Sequence, residues 1–75
     1  MKKLKYEKLI DRIISGETIY LLNTGENMAI KYKDGQIFLL KSPGGEPFAV
    51  SQDNKTLNDA LLESTVLTEE EFINF

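Results

Sequence analysis

Apolar residues first recur at Tyr6, Leu9, Ile10, Ile13 and Ile14. At about 100° per residue this spacing gathers them on a stripe about 140° wide and predicts an amphipathic helix. Glu7, Lys8, Asp11 and Arg12 take the other side, and Gly16 stands where a left-handed glycine ends a helix. The lysine-rich start opposes the helix dipole, so the first turn is expected to fray.

From Glu17 the periodicity shortens. Three strand-like runs follow, Glu17–Asn23, Met28–Lys33 and Gln36–Lys41. Between the last two, Asp34-Gly35 is a strong signal for a two-residue hairpin, because a type I′ turn needs positive φ at both central positions. Such a turn sets Lys33 against Gln36, Tyr32 against Ile37, Lys31 against Phe38, Ile30 against Leu39 and Ala29 against Leu40. A four-residue connection through Thr24-Gly25-Glu26-Asn27 sets Leu22 against Ala29, Leu21 against Ile30 and Tyr20 against Lys31. Ser42-Pro43-Gly44-Gly45-Glu46-Pro47 is a turn-rich break leading to Phe48-Ala49-Val50-Ser51, a candidate fourth strand. Thr56 and Asp59 resemble a capping box ahead of Leu57, Ala60, Leu61 and Leu62, which predicts a short second helix. Thr68 and Glu71 repeat the pattern before Phe72, Ile73 and Phe75, and the tail fits either one further helical turn or an extended segment.

Across the expected register, one sheet face collects Ile19, Leu21, Ile30, Tyr32, Ile37, Leu39, Phe48 and Val50, and the first helix can cover it. The other collects Tyr20, Leu22, Ala29, Lys31, Phe38, Leu40 and Ala49, which is more apolar than the solvated side of a simple antiparallel sheet. Three covers are open: residues 57–75 of the same chain, a second copy, or a different partner. Exposed apolar patches of this kind mark interaction sites, and Tyr20 and Phe38 are of the aromatic type enriched at interface centres.

The whole pattern spans 75 residues, which predicts one small α+β domain, 1–75, with an amino-terminal helix, a three- to four-stranded antiparallel meander and a short carboxy-terminal helix. A chain of this size buries only about 60% of its unfolded surface, so stability must come from packing. The chain has no cysteine, histidine or tryptophan. That removes thiolate and imidazole nucleophiles, bases and metal ligands. The net charge is −3, the wrong sign for a general nucleic-acid binder. Its distribution is uneven: Lys2, Lys3, Lys5, Lys8 and Arg12 crowd the amino end, whereas Asp53, Asp59, Glu63, Glu69, Glu70 and Glu71 face only Lys55 in the last third. The two ends can attract each other in the fold or serve different partners. No apolar run approaches the ~18 residues of a membrane span, and no secretory h-region follows the basic start, so the expected location is the cytoplasm. Eight lysines beside one arginine associate with AT-rich coding genomes.

Motifs for chemistry are weak. The Gly44-Gly45 loop lacks the Gly-Lys-Ser/Thr ending of a phosphate loop, and a turn between strands with an accessory contact role for Gly44 and Gly45 fits it better. Glu69-Glu70-Glu71 diverge along a helix and suit its positive end without a metal. The Asp53 stretch places Lys55 where a calcium loop needs an oxygen ligand. The expectation is therefore a protein that is not an enzyme and carries no cofactor or metal.

A helix, a tight meander, a short helix and an acidic-aromatic tail in a lysine-rich, cysteine-free chain resemble the small early proteins that phages of low-GC bacteria direct against host factors. In layout the chain is similar to the Thoeris anti-defence 2 proteins, through their helix-then-sheet order and a late segment comparable to Asn58-Asp59-Ala60-Leu61-Leu62 and Glu70-Glu71-Phe72. It lacks the tryptophans of that family, and no binding residue carries over. The resemblance implies stoichiometric binding of a host protein, either a defence complex or an enzyme, by a chain that is a candidate homodimer. Tyr20, Leu22, Lys31, Phe38 and Leu40 then form the contact centre, with the acidic tail selecting the partner electrostatically. The alternative is an oligomeric sponge for an anionic nucleotide, using Lys31, Lys33 or Lys41 with the glycine loop.

Overall fold

The computed structural model describes residues 1–33 and 37–75. Its elements, in chain order, are β1 (Lys2–Lys3), α1 (Tyr6–Ile14), β2 (Ile19–Asn23), β3 (Met28–Lys33), β4 (Ile37–Lys41), β5 (Phe48–Ala49), α2 (Lys55–Glu63), β6 (Thr65–Leu67) and α3 (Glu69–Ile73). The described residues form one sheet of order β1-β6-β2-β3-β4-β5, antiparallel at every pair. The α+β class and the order of helix, meander and short terminal helix agree with the sequence pattern. The sheet is larger than three or four strands because β6 inserts beside β2 and receives β1 on its far side. Both added strands are too short to show an alternating pattern. No helix among the described residues is long and apolar enough to cross a membrane.

Local chemistry sets the helix ends. Gly16, at φ +84°, lets α1 close in a Schellman motif, with the Gly16 N–H donating to the Ile13 carbonyl at 3.0 Å and Glu17 to Arg12 at 3.2 Å. At the other end Lys5 makes no side-chain cap. The lysines before it leave the helix altogether: Lys2 and Lys3 pair with Val66 and Thr65 in β1, not in a frayed first turn. The start of α2 also differs from expectation. Asn54, not Thr56, is the cap, its side chain accepting from the Leu57 N–H at 3.0 Å. In α3 the capping box of Thr68 and Glu71 is complete, so the tail is helical where an extended segment was the other choice.

Both α1 and α2 lie on one sheet face. Leu9, Leu57 and Ala60 from the helices bury Ile19, Leu21, Ile30, Phe38 and Leu40 from the strands. The β2–β3 pairing follows the expected register, Tyr20 with Lys31 and Leu22 with Ala29. The β3–β4 pairing does not. Lys33 pairs with Ile37, Tyr32 with Phe38, Lys31 with Leu39, Ile30 with Leu40 and Ala29 with Lys41. The Asp34-Gly35 turn lies outside the described residues, but this pairing leaves three residues between the strands and not two. A slip of one residue exchanges the two faces of a strand. Phe38 and Leu40 consequently sit under the helices, while Ile37, Leu39 and Lys41 turn to the second face. The physical gain concerns Lys41. In the two-residue register its ammonium would enter the helix-covered core, where an unpaired charge is costly.

Acidic side chains tie distant segments together. Glu63 of α2 accepts from the Thr24 N–H at 2.9 Å and its hydroxyl at 3.0 Å. Glu71 accepts from the Met1 α-ammonium, 2.7 Å from each carboxylate oxygen, so the oppositely charged ends do meet. Burial works to raise the Glu63 carboxyl, yet the bonds from Thr24 and Thr65 and the charge of Lys3 together hold it below its ordinary value of 4.5. The Met1 ammonium, then the Thr68 N–H, do the same for Glu71. A carboxyl with a depressed folded value binds its proton more weakly in the folded state. Its stabilisation is full above the ordinary value of 4.5 and is lost as pH falls through the lower folded value. Thermal melts between about pH 6 and about pH 3 should therefore show a falling midpoint, and Glu63→Gln should flatten that slope. A wild-type slope in the variant would remove Glu63 from this role.

Candidate binding surface

The second sheet face carries Tyr20, Leu22, Ala29, Lys31, Lys33, Ile37, Leu39, Lys41, Ala49, Thr65 and Leu67 by register. The capping box turns the chain out of β6 directly into α3, which lays Phe72 back against β2, β3 and β6. Phe72, Ala29 and Leu67 form a second buried cluster, flanked by Tyr20, Leu22 and Phe75. The ring centroids of Phe72 and Tyr20 are 5.2 Å apart. The Tyr20 hydroxyl donates to Glu69 at 2.9 Å. Burial, then the bond to Glu69 and its charge, push the Tyr20 hydroxyl above its ordinary value of 10.0 and keep it the donor.

The tail thus covers one half of this face. The half over β4 and β5 stays open, with Ile37 48% exposed, Leu39 half-buried and Ala49 exposed beside the Lys31 and Lys33 side chains. Lys31 borders the covered half, its ammonium 5.9 Å from the Tyr20 ring centroid. Here the expected contact centre divides. Tyr20, Leu22 and Lys31 share the second face, but Tyr20 and Leu22 belong to the cluster under α3. Phe38 and Leu40, 8% and 4% exposed, lie on the opposite face in the main core and cannot join them. Their places are taken by Ile37 and Leu39, which the expected β4 register had turned inward, beside Ala49, which lies on this face as expected. The length of the β3–β4 connection is the signal that distinguishes the two assignments, and Asp34-Gly35 by its type favours the wrong one.

Gly44 and Gly45 line a different feature, an open cleft of about 400 Å³ between the β4–β5 connection and the tail. Gly44 at φ +71° lets the connection turn so that its N–H donates to the Phe75 main-chain oxygen at 2.9 Å. Lys41, Glu46, Pro47, Ile73, Asn74 and Phe75 complete the cleft. The acids of the tail are largely engaged inside the molecule, Glu69 by Tyr20 and Glu71 by Met1. Only Glu71 is paired by a cation; Glu69 keeps its charge beside the neutral Tyr20 hydroxyl, and Glu69 and Glu70 are both exposed. The open β4–β5 half presents both positive and apolar groups, Lys31, Lys33, Ile37, Leu39 and Ala49. No protein-family model, curated protein or solved structure matches this chain.

Proposed function

We propose that this chain is a non-enzymatic binding protein of the phage-inhibitor type that engages a host protein stoichiometrically through Lys31, Lys33, Ile37, Leu39 and Ala49. The observation that supports it is the half-covered second face. A tail that seals Ala29, Leu67 and Phe72 stops short of an apolar strip edged by two lysines. The partner that suits such a strip presents an apolar anchor within an acidic surface, since opposite charge steers encounter and sets orientation while the apolar contact holds the complex. The two-residue edge strand β5 adds free main-chain groups beside it.

Immobilised wild type, Leu39→Asp and a Lys31→Glu/Lys33→Glu double variant, exposed to lysate of a low-GC bacterium, test this reading. A specific protein retained by wild type should bind about tenfold or more weakly to both variants. Raised salt should weaken the wild-type complex. An equal catch by all three proteins would remove the strip from function. Solution mass adds a control: a wild-type dimer that Leu39→Asp dissolves would assign the strip to a second copy in place of a host protein.

A further inference from the structure

Lys41 has only 7% of its surface exposed, and its ammonium, which is not itself buried, makes no ion pair or hydrogen bond among the described residues. The ammonium stands over the Phe75 ring, with the centroid 5.8 Å away. An aromatic face attracts a cation but accepts none of its three N–H bonds in the way an oxygen does. The stem is what is buried: the ammonium itself keeps contact with water at the cleft and is free to pair with an incoming acceptor. Its side chain lines the cleft beside the β4–β5 connection, and the cleft, at about 400 Å³, falls in the size range of small-molecule sites. The walls around the ammonium are mixed: the Phe75 ring, Pro47 and Ile73 are apolar, Asn74 is neutral and polar, and Glu46 brings a negative charge.

We propose that this cleft binds a small organic monoanion, whose carboxylate meets the Lys41 ammonium and whose apolar body lies against Phe75 and Pro47. Glu46 excludes polyanions. One lysine against one glutamate leaves no net positive field to hold a polyphosphate, whereas a single carboxylate pairs with Lys41 directly. The Gly44 bond to the Phe75 main-chain oxygen holds the two walls together, so occupancy is read at both. This site lies on different residues from the protein-binding strip and stands without it.

The test is an amide NMR titration with benzoate as probe, benzamide as its neutral counterpart and inorganic phosphate as the anion without a body. Benzoate should move the Gly44, Gly45 and Phe75 amides along a saturable millimolar curve, with benzamide and phosphate each at least about tenfold weaker. Lys41→Met should lose benzoate by about tenfold or more, Lys41→Arg should retain it, and Glu46→Gln should tighten it. Absence of a saturable benzoate shift overturns the proposal, as does equal binding of benzamide or retention in a folded Lys41→Met protein. Equal or tighter phosphate binding overturns the organic body. Should Lys41→Met fail to fold, Glu46→Gln decides, because Glu46 is exposed and an affinity unchanged by its neutralisation overturns the electrostatic basis.

Discussion

Phe38→Asp should unfold this protein, and Leu39→Asp, one residue along the same strand, should leave it folded. Phe38 is 8% exposed, packs at 4.9 Å between ring centroids against Tyr32, and belongs to the cluster beneath α1 and α2. A carboxylate there loses the aromatic contacts and enters a cluster of apolar side chains, a change of several kcal/mol. A domain of this size has only about 4–11 kcal/mol of total stability, so the loss is comparable to the whole. Leu39 points to the open half of the second face, and an aspartate there meets solvent and the Lys31 side chain across the β3–β4 pair. Far-ultraviolet circular dichroism and thermal melts of both variants check this. A folded Phe38→Asp protein paired with an unfolded Leu39→Asp protein would restore the two-residue hairpin register.

Phe72→Ala should produce the second large effect. The ring is 5% exposed and holds α3 on the sheet through Ala29, Leu67 and Tyr20. Truncating a buried phenylalanine costs about 3–5 kcal/mol. At roughly 4–8 °C per kcal/mol for a domain this small, the midpoint should fall by at least about 12 °C. The variant should also bind a hydrophobic dye that wild type does not, because freeing α3 lengthens the apolar strip of Ile37 and Leu39 to include Ala29 and Leu67. Ile73→Ala is the control. Ile73 is 64% exposed, and its truncation should stay within about 0.5 kcal/mol of wild type. Equal effects of the two substitutions would mean that α3 is held by something other than the Phe72 ring.

Much of the fold was legible because it rests on neighbours in the chain. The Tyr6–Ile14 stripe, the glycine after it, the β2–β3 pairing and the Thr68–Glu71 cap all depend on contacts across three to five residues or a short turn. The candidate site was legible only in part. Lys31 and the Gly44-Gly45 loop are where the pattern placed them, but Phe38 and Leu40 are in the core, and Ile37, Leu39 and Lys41 changed faces. Alternation could not resolve β4, since Ile37 and Leu39 are as suited to a core as Phe38 and Leu40.

By itself, then, the sequence determined α1, the meander from β2 to β5 and α2 in their order, the faces of β2 and β3, and the absence of thiol and imidazole chemistry. Only the tertiary structure decided the register of β4, the insertion of β6 between β1 and β2, and the cover of half the second face by α3. The physical reason lies in range. Periodicity records which side of an element is apolar, whereas pairing between distant segments is chosen by what must be buried together. Here the choice keeps the Lys41 ammonium out of the helix-covered core and places it against Phe75, a residue 34 positions away in the chain.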